Sequence, residues 1–160
     1  MSGRFIERVF SSARGTPIAR RLKAVGLDVE AVQPEYPAER LPSWLATYAE
    51  ERYPGVPVGE AMRRAGFELV RAAPKSARSL EQVMGGLVEA FERVGNFFDV
   101  SVQAREPQRY VAHFDDVAFV PTFILGVMEG VTSSTLERAP EVTWTPAGLS
   151  GARYVVTSRS

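Results

Sequence analysis

The spacing of apolar residues changes from helical to alternating near residue 97, and this change restricts the fold more than any other feature of the sequence. Before that point apolar residues recur every three or four positions, which is typical of amphipathic helices. After it they alternate with polar residues over 98–102, 108–114, 141–145 and 153–157, which is typical of half-buried strands. One helix, 121–132, separates the two strand pairs. The sequence therefore predicts an α+β fold, with N-terminal helices packed on an antiparallel sheet and a C-terminal β-β-α-β-β order.

Capping residues mark where the predicted helices begin. Thr16 is a hydroxyl N-cap before Pro17 at the first helical position, and Gly26 ends that helix. Ser79, with Gln82 in the capping-box position, begins the most regular helix of the chain. The apolar residues of that helix form a wide stripe: Leu80, Val83, Met84, Leu87, Val88, Phe91 and Val94. We expect this stripe to lie at the centre of the core.

Two more helices are predicted between these, and the N-terminus is predicted to lack one. The first lies between Tyr36-Pro37 and Tyr53-Pro54, and the second begins at Pro57 and has a buried apolar side if it continues past Gly66. Residues 1–15 are predicted to form a short strand or an irregular apolar arm.

The composition limits the chemistry that the chain can perform. A length of 160 residues suffices for one core, so 1–160 is predicted to be a single domain. The chain has no cysteine and one histidine, His113. This excludes disulfides, thiolate zinc sites, iron–sulfur clusters, cysteine nucleophiles and multi-histidine metal sites. We predict neither a metal nor a cofactor.

Charge and hydropathy restrict the partners. Lys+Arg and Asp+Glu both number 19, so the basic excess of a typical nucleic-acid binder is missing. The longest apolar stretch, 117–127, is interrupted by Pro121-Thr122 and is too short to span a bilayer, and 1–15 lacks the apolar core of a signal peptide. We therefore expect a cytoplasmic protein that neither binds nucleic acid nor spans a membrane.

Glycines stand out in two of the predicted helices. Gly85-Gly86 costs about 1 kcal/mol per glycine relative to alanine, so we expect a neighbouring backbone to approach closely there. Gly126-x-x-x-Gly130 places two glycines on one helix face. Packing of this helix on the sheet is the simpler interpretation, and a subunit interface or the wall of a ligand pocket is the alternative.

Polar side chains that might carry chemistry do not assemble into a motif. His113 is predicted to lie on a strand, facing away from its apolar neighbours, which favours a structural role. Asp115-Asp116 after the same strand favours a turn over a magnesium site, because no phosphate-binding glycine loop accompanies it. A group of hydroxyls lacks both a histidine base and a G-x-S-x-G elbow: Ser133, Ser134, Ser150 and Ser158. The chain is thus not expected to be an enzyme.

The combined motifs resemble a myxobacterial family of uncharacterised proteins that has many paralogues per genome. The resemblance spans about Leu22 to Thr157. Its carriers are Leu22, Gly26-Leu27-Asp28, Tyr36-Pro37, Trp44, Tyr53-Pro54-Gly55-Val56-Pro57, Glu60-Ala61, Gly66, Pro121, Phe123 and Gly126. The chain has Thr157 where that family often ends on an aromatic residue.

The C-terminal half is also similar to vinyl-reductase-like and TRAPP-subunit domains, through its β-β-α-β-β order and the segment 123–129. That likeness implies a small-molecule or acyl pocket and subunit assembly. Haem-binding sensor domains of comparable layout carry their iron ligand on a helix and a Tyr-x-Ser-x-Arg propionate clamp. Here His113 is on a predicted strand, and the string from Tyr154 to Arg159 does not match the clamp.

These observations favour a non-enzymatic regulatory or protein-interaction module that acts in signalling. Its expected partners are a second copy of the chain, as a homodimer, and an unidentified protein. The alternative is a sensor that binds a small apolar ligand between the last helix and the sheet, and a cryptic enzyme is the third hypothesis. The residues expected to line such a pocket or interface are Phe98, Phe123, Gly126, Val127, Gly130 and Trp144.

Overall fold

A computed structural model describes most of the chain: residues 1–71, 79–94, 99–106, 108–115, 120–136 and 138–158. The helices are α1 (Gly3–Phe10), α2 (Pro17–Ala24), α3 (Leu41–Arg52), α4 (Val58–Arg71), α5 (Leu80–Val94) and α6 (Pro121–Thr135). The strands are β1 (Val100–Glu106), β2 (Arg109–Phe114), β3 (Glu141–Ala147) and β4 (Gly151–Thr157). This confirms the predicted α+β fold, with helices before the sheet and β-β-α-β-β order at the end of the chain.

The N-terminal segment is a helix, so the prediction of a strand or an irregular arm over 1–15 was wrong. The Ser2 hydroxyl accepts the Phe5 N–H and caps α1. The buried residues of α1 follow helical spacing: Phe5, Ile6, Val9 and Phe10. Charged residues, Arg4, Glu7 and Arg8, lie between these apolar residues. In a helix of only eight residues, this pattern is easily mistaken for the alternation of a strand.

Helices α2 and α5 begin where their caps predict. The Thr16 hydroxyl accepts the Ile18 N–H at the start of α2, and Gly26 follows its end at φ 90°. The Ser79 hydroxyl accepts the Gln82 N–H at the start of α5. Helix α4 runs through Gly66 without interruption.

The four strands form one antiparallel sheet in the order β1-β2-β4-β3, so β1 and β3 are its edges. Residues directly opposite each other in β2 and β4 include Ala112 with Tyr154 and Phe114 with Ala152. All four of these side chains are buried. We call this side of the sheet the inner face, and it packs against the helices.

Candidate functional site

The inner face of the sheet is the best candidate for a functional site, because a chain of aromatic rings crosses it. Phe91 of α5 meets Phe114 of β2 with ring centroids 5.0 Å apart, and Phe114 meets Tyr154 of β4 at 5.3 Å. Trp144 of β3 lies 6.4 Å from Tyr154 in a stacked arrangement. The two closer pairs are edge-to-face, a geometry worth about 0.5–1.5 kcal/mol beyond burial. Helix α5 is therefore held against the sheet by ring contacts.

Tyr154 also attaches the last helix to the sheet. Its hydroxyl donates to the Pro121 carbonyl oxygen at 2.7 Å, at the first residue of α6. The side chain is fully buried, and burial raises the pKa of the phenol well above its usual 10. Tyr154 therefore stays neutral and remains a donor across the physiological pH range.

The glycines of α6 pack against α4 within the same chain. A Cβ built on Gly126 would lie 1.9 Å from the Arg63 carbonyl oxygen, and one on Gly130 would lie 2.4 Å from the Val70 side chain. From the other side, a Cβ on Gly66 would lie 2.1 Å from the Phe123 carbonyl oxygen. We call this helix pair the α4–α6 seam. It accounts for the glycine motif by packing of helix on helix, where the simpler interpretation expected helix on sheet.

This seam corrects the proposed role of the two glycines at a subunit interface. The face that carries Gly126 and Gly130 is filled by α4, so a second copy of the chain cannot reach it without displacing that helix. Gly85-Gly86, where a close backbone approach was expected, is exposed, and a Cβ at either position would meet no described atom within 4 Å. That expectation was wrong.

A salt bridge joins the two helices of the seam. Arg63 of α4 donates through Nε and Nη2 to the two carboxylate oxygens of Glu129 on α6, both at 2.7 Å. The hydrogen bond with Glu129 is the main cause that raises the pKa of Arg63. Arg64 pairs with Glu60, so both arginines of this segment are matched by carboxylates. An open cleft of about 520 Å³ lies beside them, with Tyr53 and Phe67 also in its lining.

The structure places most of the predicted site residues in the interior. Phe123 and Val127 are buried, and Trp144 is half-buried beside Tyr154. Phe98 lies outside the described residues. The apolar stripe of α5 predicts that Phe91 lies in the core and gives no sign that it belongs to a functional site. Its neighbour in space, Phe114, is visible in the sequence only as one of several alternating apolar residues.

The polar candidates stay apart from this interior. His113 is half-exposed on the opposite face of the sheet, where it pairs with Arg153 and Ser101, as the strand pattern predicts. Asp115 is exposed after β2, and Asp116 lies outside the described residues. Within the described part of the chain, no three His, Cys, Asp or Glu side chains cluster as a metal site would require. In the same part, no helix combines the length and apolar character needed to cross a membrane.

Solved structures similar to the chain include H-NOX domains. One, from work on haem distortion in the H-NOX family, has a TM-score of 0.74 and 14% identity, with 100% of this chain and 96% of that chain covered. An oxygen-binding H-NOX domain related to soluble guanylate cyclases has a TM-score of 0.69 and 13% identity, with 100% and 96% covered. An unliganded Fe(II) H-NOX mutant from K. algicida has a TM-score of 0.69 and 11% identity, with 100% and 97% covered. At these identities the likeness concerns the fold.

No curated protein sequence is significantly similar to the chain. A family model does match it, over residues 2–157, which is nearly the whole length. The chain therefore belongs to the family described as protein of unknown function, DUF2378.

Proposed function

We propose that the chain is a non-enzymatic sensor module whose interior accepts a small apolar ligand between the inner face of the sheet and helices α5 and α6. The observation that carries this proposal is the fold, which matches haem-binding and oxygen-binding H-NOX domains over at least 96% of both chains. Aromatic side chains on or against the inner face, those of Phe91, Phe114 and Trp144, would give such a ligand an apolar lining.

Haem itself does not fit the residues of this chain. A protein holds haem iron through an imidazole, a thiolate or a phenolate, and a methionine thioether serves as a ligand together with an imidazole. The only imidazole, that of His113, is half-exposed on the face opposite the helices, and the sequence contains no cysteine. The buried phenol of Tyr154 already donates to Pro121. The described buried side chains of α5 include no imidazole: they are Leu80, Val83, Met84, Leu87 and Phe91. We therefore propose an organic apolar ligand in place of haem.

Ligand occupancy would act through the contacts already described. Tyr154 connects the sheet to Pro121 at the start of α6, and α6 is locked to α4 at the seam. A ligand that separates Phe91 from Phe114 would shift α5, and one that displaces Tyr154 would shift α6. Either movement would alter a surface that a partner protein can read. A cytoplasmic signalling role with variable partners also suits the resemblance to a myxobacterial family with many paralogues.

Binding of an apolar probe to a single-tryptophan variant tests the proposal. Trp44→Phe leaves Trp144, beside Tyr154, as the sole tryptophan, which excitation at about 295 nm selects over the tyrosines. We use decanoic acid, since the likeness to acyl-binding folds favours an alkyl chain, and hemin as the competing probe. We expect decanoic acid to shift the Trp144 emission saturably, with no Soret band shift on adding hemin.

Two controls complete this experiment. Trp144→Phe, which keeps Trp44 in α3, should show no response to decanoic acid. Native mass spectrometry of wild type purified from its own host should show an added mass that denaturation releases. Stoichiometric hemin binding with a sharp Soret band would reject the organic ligand. If native mass spectrometry shows no added mass and decanoic acid does not shift the Trp144 emission, a protein-interaction module without a ligand becomes the better-supported function.

A further inference from the structure

Strand β1 exposes an edge of the sheet that is equipped for pairing. The Asp115 N–H donates to the Asp99 carbonyl at 2.9 Å, so the odd-numbered positions of this strand direct their backbone groups toward β2. The N–H and C=O groups of Val100, Val102 and Ala104 therefore point away from the sheet. Among the described residues, no turn or loop hydrogen bond reaches these three positions.

The two edges of the sheet differ in how they are protected. Strand β3 carries Pro146, which removes one N–H donor from that edge. A helix packs beside each edge strand, α6 beside β3 and α5 beside β1, so the difference between the two edges lies in their backbone donors. Strand β1 has no proline and no charged residue among Val100, Val102 and Ala104, the positions whose side chains lie on the inner face. Only the bulge between Ala104 and Glu106 interrupts its ladder. An edge strand that keeps its outward N–H and C=O groups is a template for strand addition.

The side chains of β1 are complementary to a second copy of the same strand. If two copies pair antiparallel about a two-fold axis at Val102, Val100 lies opposite Ala104 of the other copy. Asp99, directly before the strand, then lies opposite Arg105, the residue at the bulge, at both ends of the pairing. Directly opposite Cβ atoms in such a pair are about 4.5–5.5 Å apart, within reach of an ion pair. Asp99 and Arg105 are both exposed.

We propose that the chain forms a two-fold dimer through β1, which joins the two sheets into one continuous sheet. In this register each of the pairs Val102–Val102 and Val100–Ala104 exchanges both of its backbone hydrogen bonds. The two Asp99–Arg105 pairs fix the register, and the zero formal net charge of the chain means that two copies do not repel each other overall. This surface is separate from the seam, and it does not depend on the ligand proposal.

Charge exchange tests the register directly. Asp99→Arg places two arginines opposite each other at each end, and Arg105→Asp places two aspartates there. We expect each single variant to weaken dimerisation at least about tenfold, and the double variant to return to within about threefold of wild type. Sedimentation velocity over a concentration series measures this, with circular dichroism as the check on folding. Restoration by the double variant is specific to a symmetric pairing of these two residues.

A proline substitution tests the backbone pairing. Val102→Pro removes an N–H that points outward, so it should abolish the dimer and leave the monomer folded. Val142→Pro, on the opposite edge strand, is the matched control and should stay dimeric. A wild type that is monomeric at millimolar concentration overturns the proposal, and so does a dimer that tolerates Asp99→Arg. Should Val102→Pro fail to fold, the charge exchange decides alone.

Discussion

At the scale of single residues, Tyr154 joins three other elements at the candidate site, β2, β3 and α6. It contacts the rings of Phe114 and Trp144, and its hydroxyl holds Pro121. Its position in the sequence gives little sign of this, because it is one apolar residue in an alternating strand. The ring partners come from elements that are distant in sequence, and only the register of β2 and β4 brings them together.

The hydroxyl of Tyr154 should contribute measurably to stability. Tyr154→Phe keeps the ring contacts and removes the donor to Pro121, so we expect a loss of about 0.5–1.5 kcal/mol in the free energy of unfolding. Urea denaturation at neutral pH measures it. A loss under about 0.2 kcal/mol would mean that the bond to Pro121 is not formed in solution.

The same residue makes stability depend on alkaline pH. Burial raises the pKa of Tyr154 above its usual 10, and burial is also the main cause that raises the pKa of Tyr53 to about 12. Above pH 10 the unfolded chain therefore releases protons that the folded chain retains, so stability is full below that pH and falls as the pH rises further. Urea midpoints at about pH 8 and about pH 11 should show this fall, and Tyr154→Phe should make it shallower. An unchanged slope in the variant would contradict the assignment.

At the scale of elements, the helix caps and the hydrophobic stripes predicted most of the fold, because both are local. Thr16 and Ser79 cap their helices as expected. The role of the helical glycines was harder to predict, because the sequence does not show whether another element packs against a glycine or leaves it exposed. The expected close approach occurs at Gly66 and Gly126 and not at Gly85-Gly86. The identity of the neighbouring helix is tertiary information.

The two kinds of glycine should respond oppositely to the same substitution. Gly126→Ala puts a methyl group against the Arg63 backbone, and we expect it to destabilise the fold by at least about 1–3 kcal/mol. Gly85→Ala adds a methyl group in open space in a helix without positive φ, and we expect it to stabilise by up to about 1 kcal/mol. Thermal and urea unfolding compare the two variants with wild type. A destabilised Gly85→Ala would mean that something does cover that face of α5.

The buried stripe of α5 has its own test. Leu87 is 4% exposed and lies midway along the helix. Leu87→Ala should cost about 2–5 kcal/mol, the usual range for truncation of a buried leucine. Denaturant midpoints measure the loss, and Leu149→Ala, at a fully exposed leucine, serves as the control with little change. A cost for Leu87→Ala under about 0.5 kcal/mol would place α5 outside the core.

At the scale of the whole molecule, the order of elements followed from the sequence, whereas the candidate site did not. The change from helical to alternating spacing near residue 97 predicted the helices and the sheet. The site requires the strand order β1-β2-β4-β3 and the placement of α5 on the sheet. The spacing of apolar residues within a single segment predicts neither the strand order nor the position of α5. The likeness to H-NOX domains also rests on the arrangement in space, since only 14% of residues are identical.

The chain should unfold as one cooperative unit, because the buried residues of α1 through α6 and of the sheet belong to one apolar cluster. The two tryptophans allow a direct test, since Trp44 is buried in α3 and Trp144 lies in β3 beside Tyr154. Trp44→Phe and Trp144→Phe each leave a reporter in one half of the molecule. For a single domain, the transition followed by fluorescence should coincide with that followed by far-ultraviolet circular dichroism in each variant. Within either variant, a fluorescence midpoint separated from the dichroism midpoint would divide the helical part from the sheet. The ring contacts of Phe91 and the seam at Gly126 would then be too weak to couple the two parts.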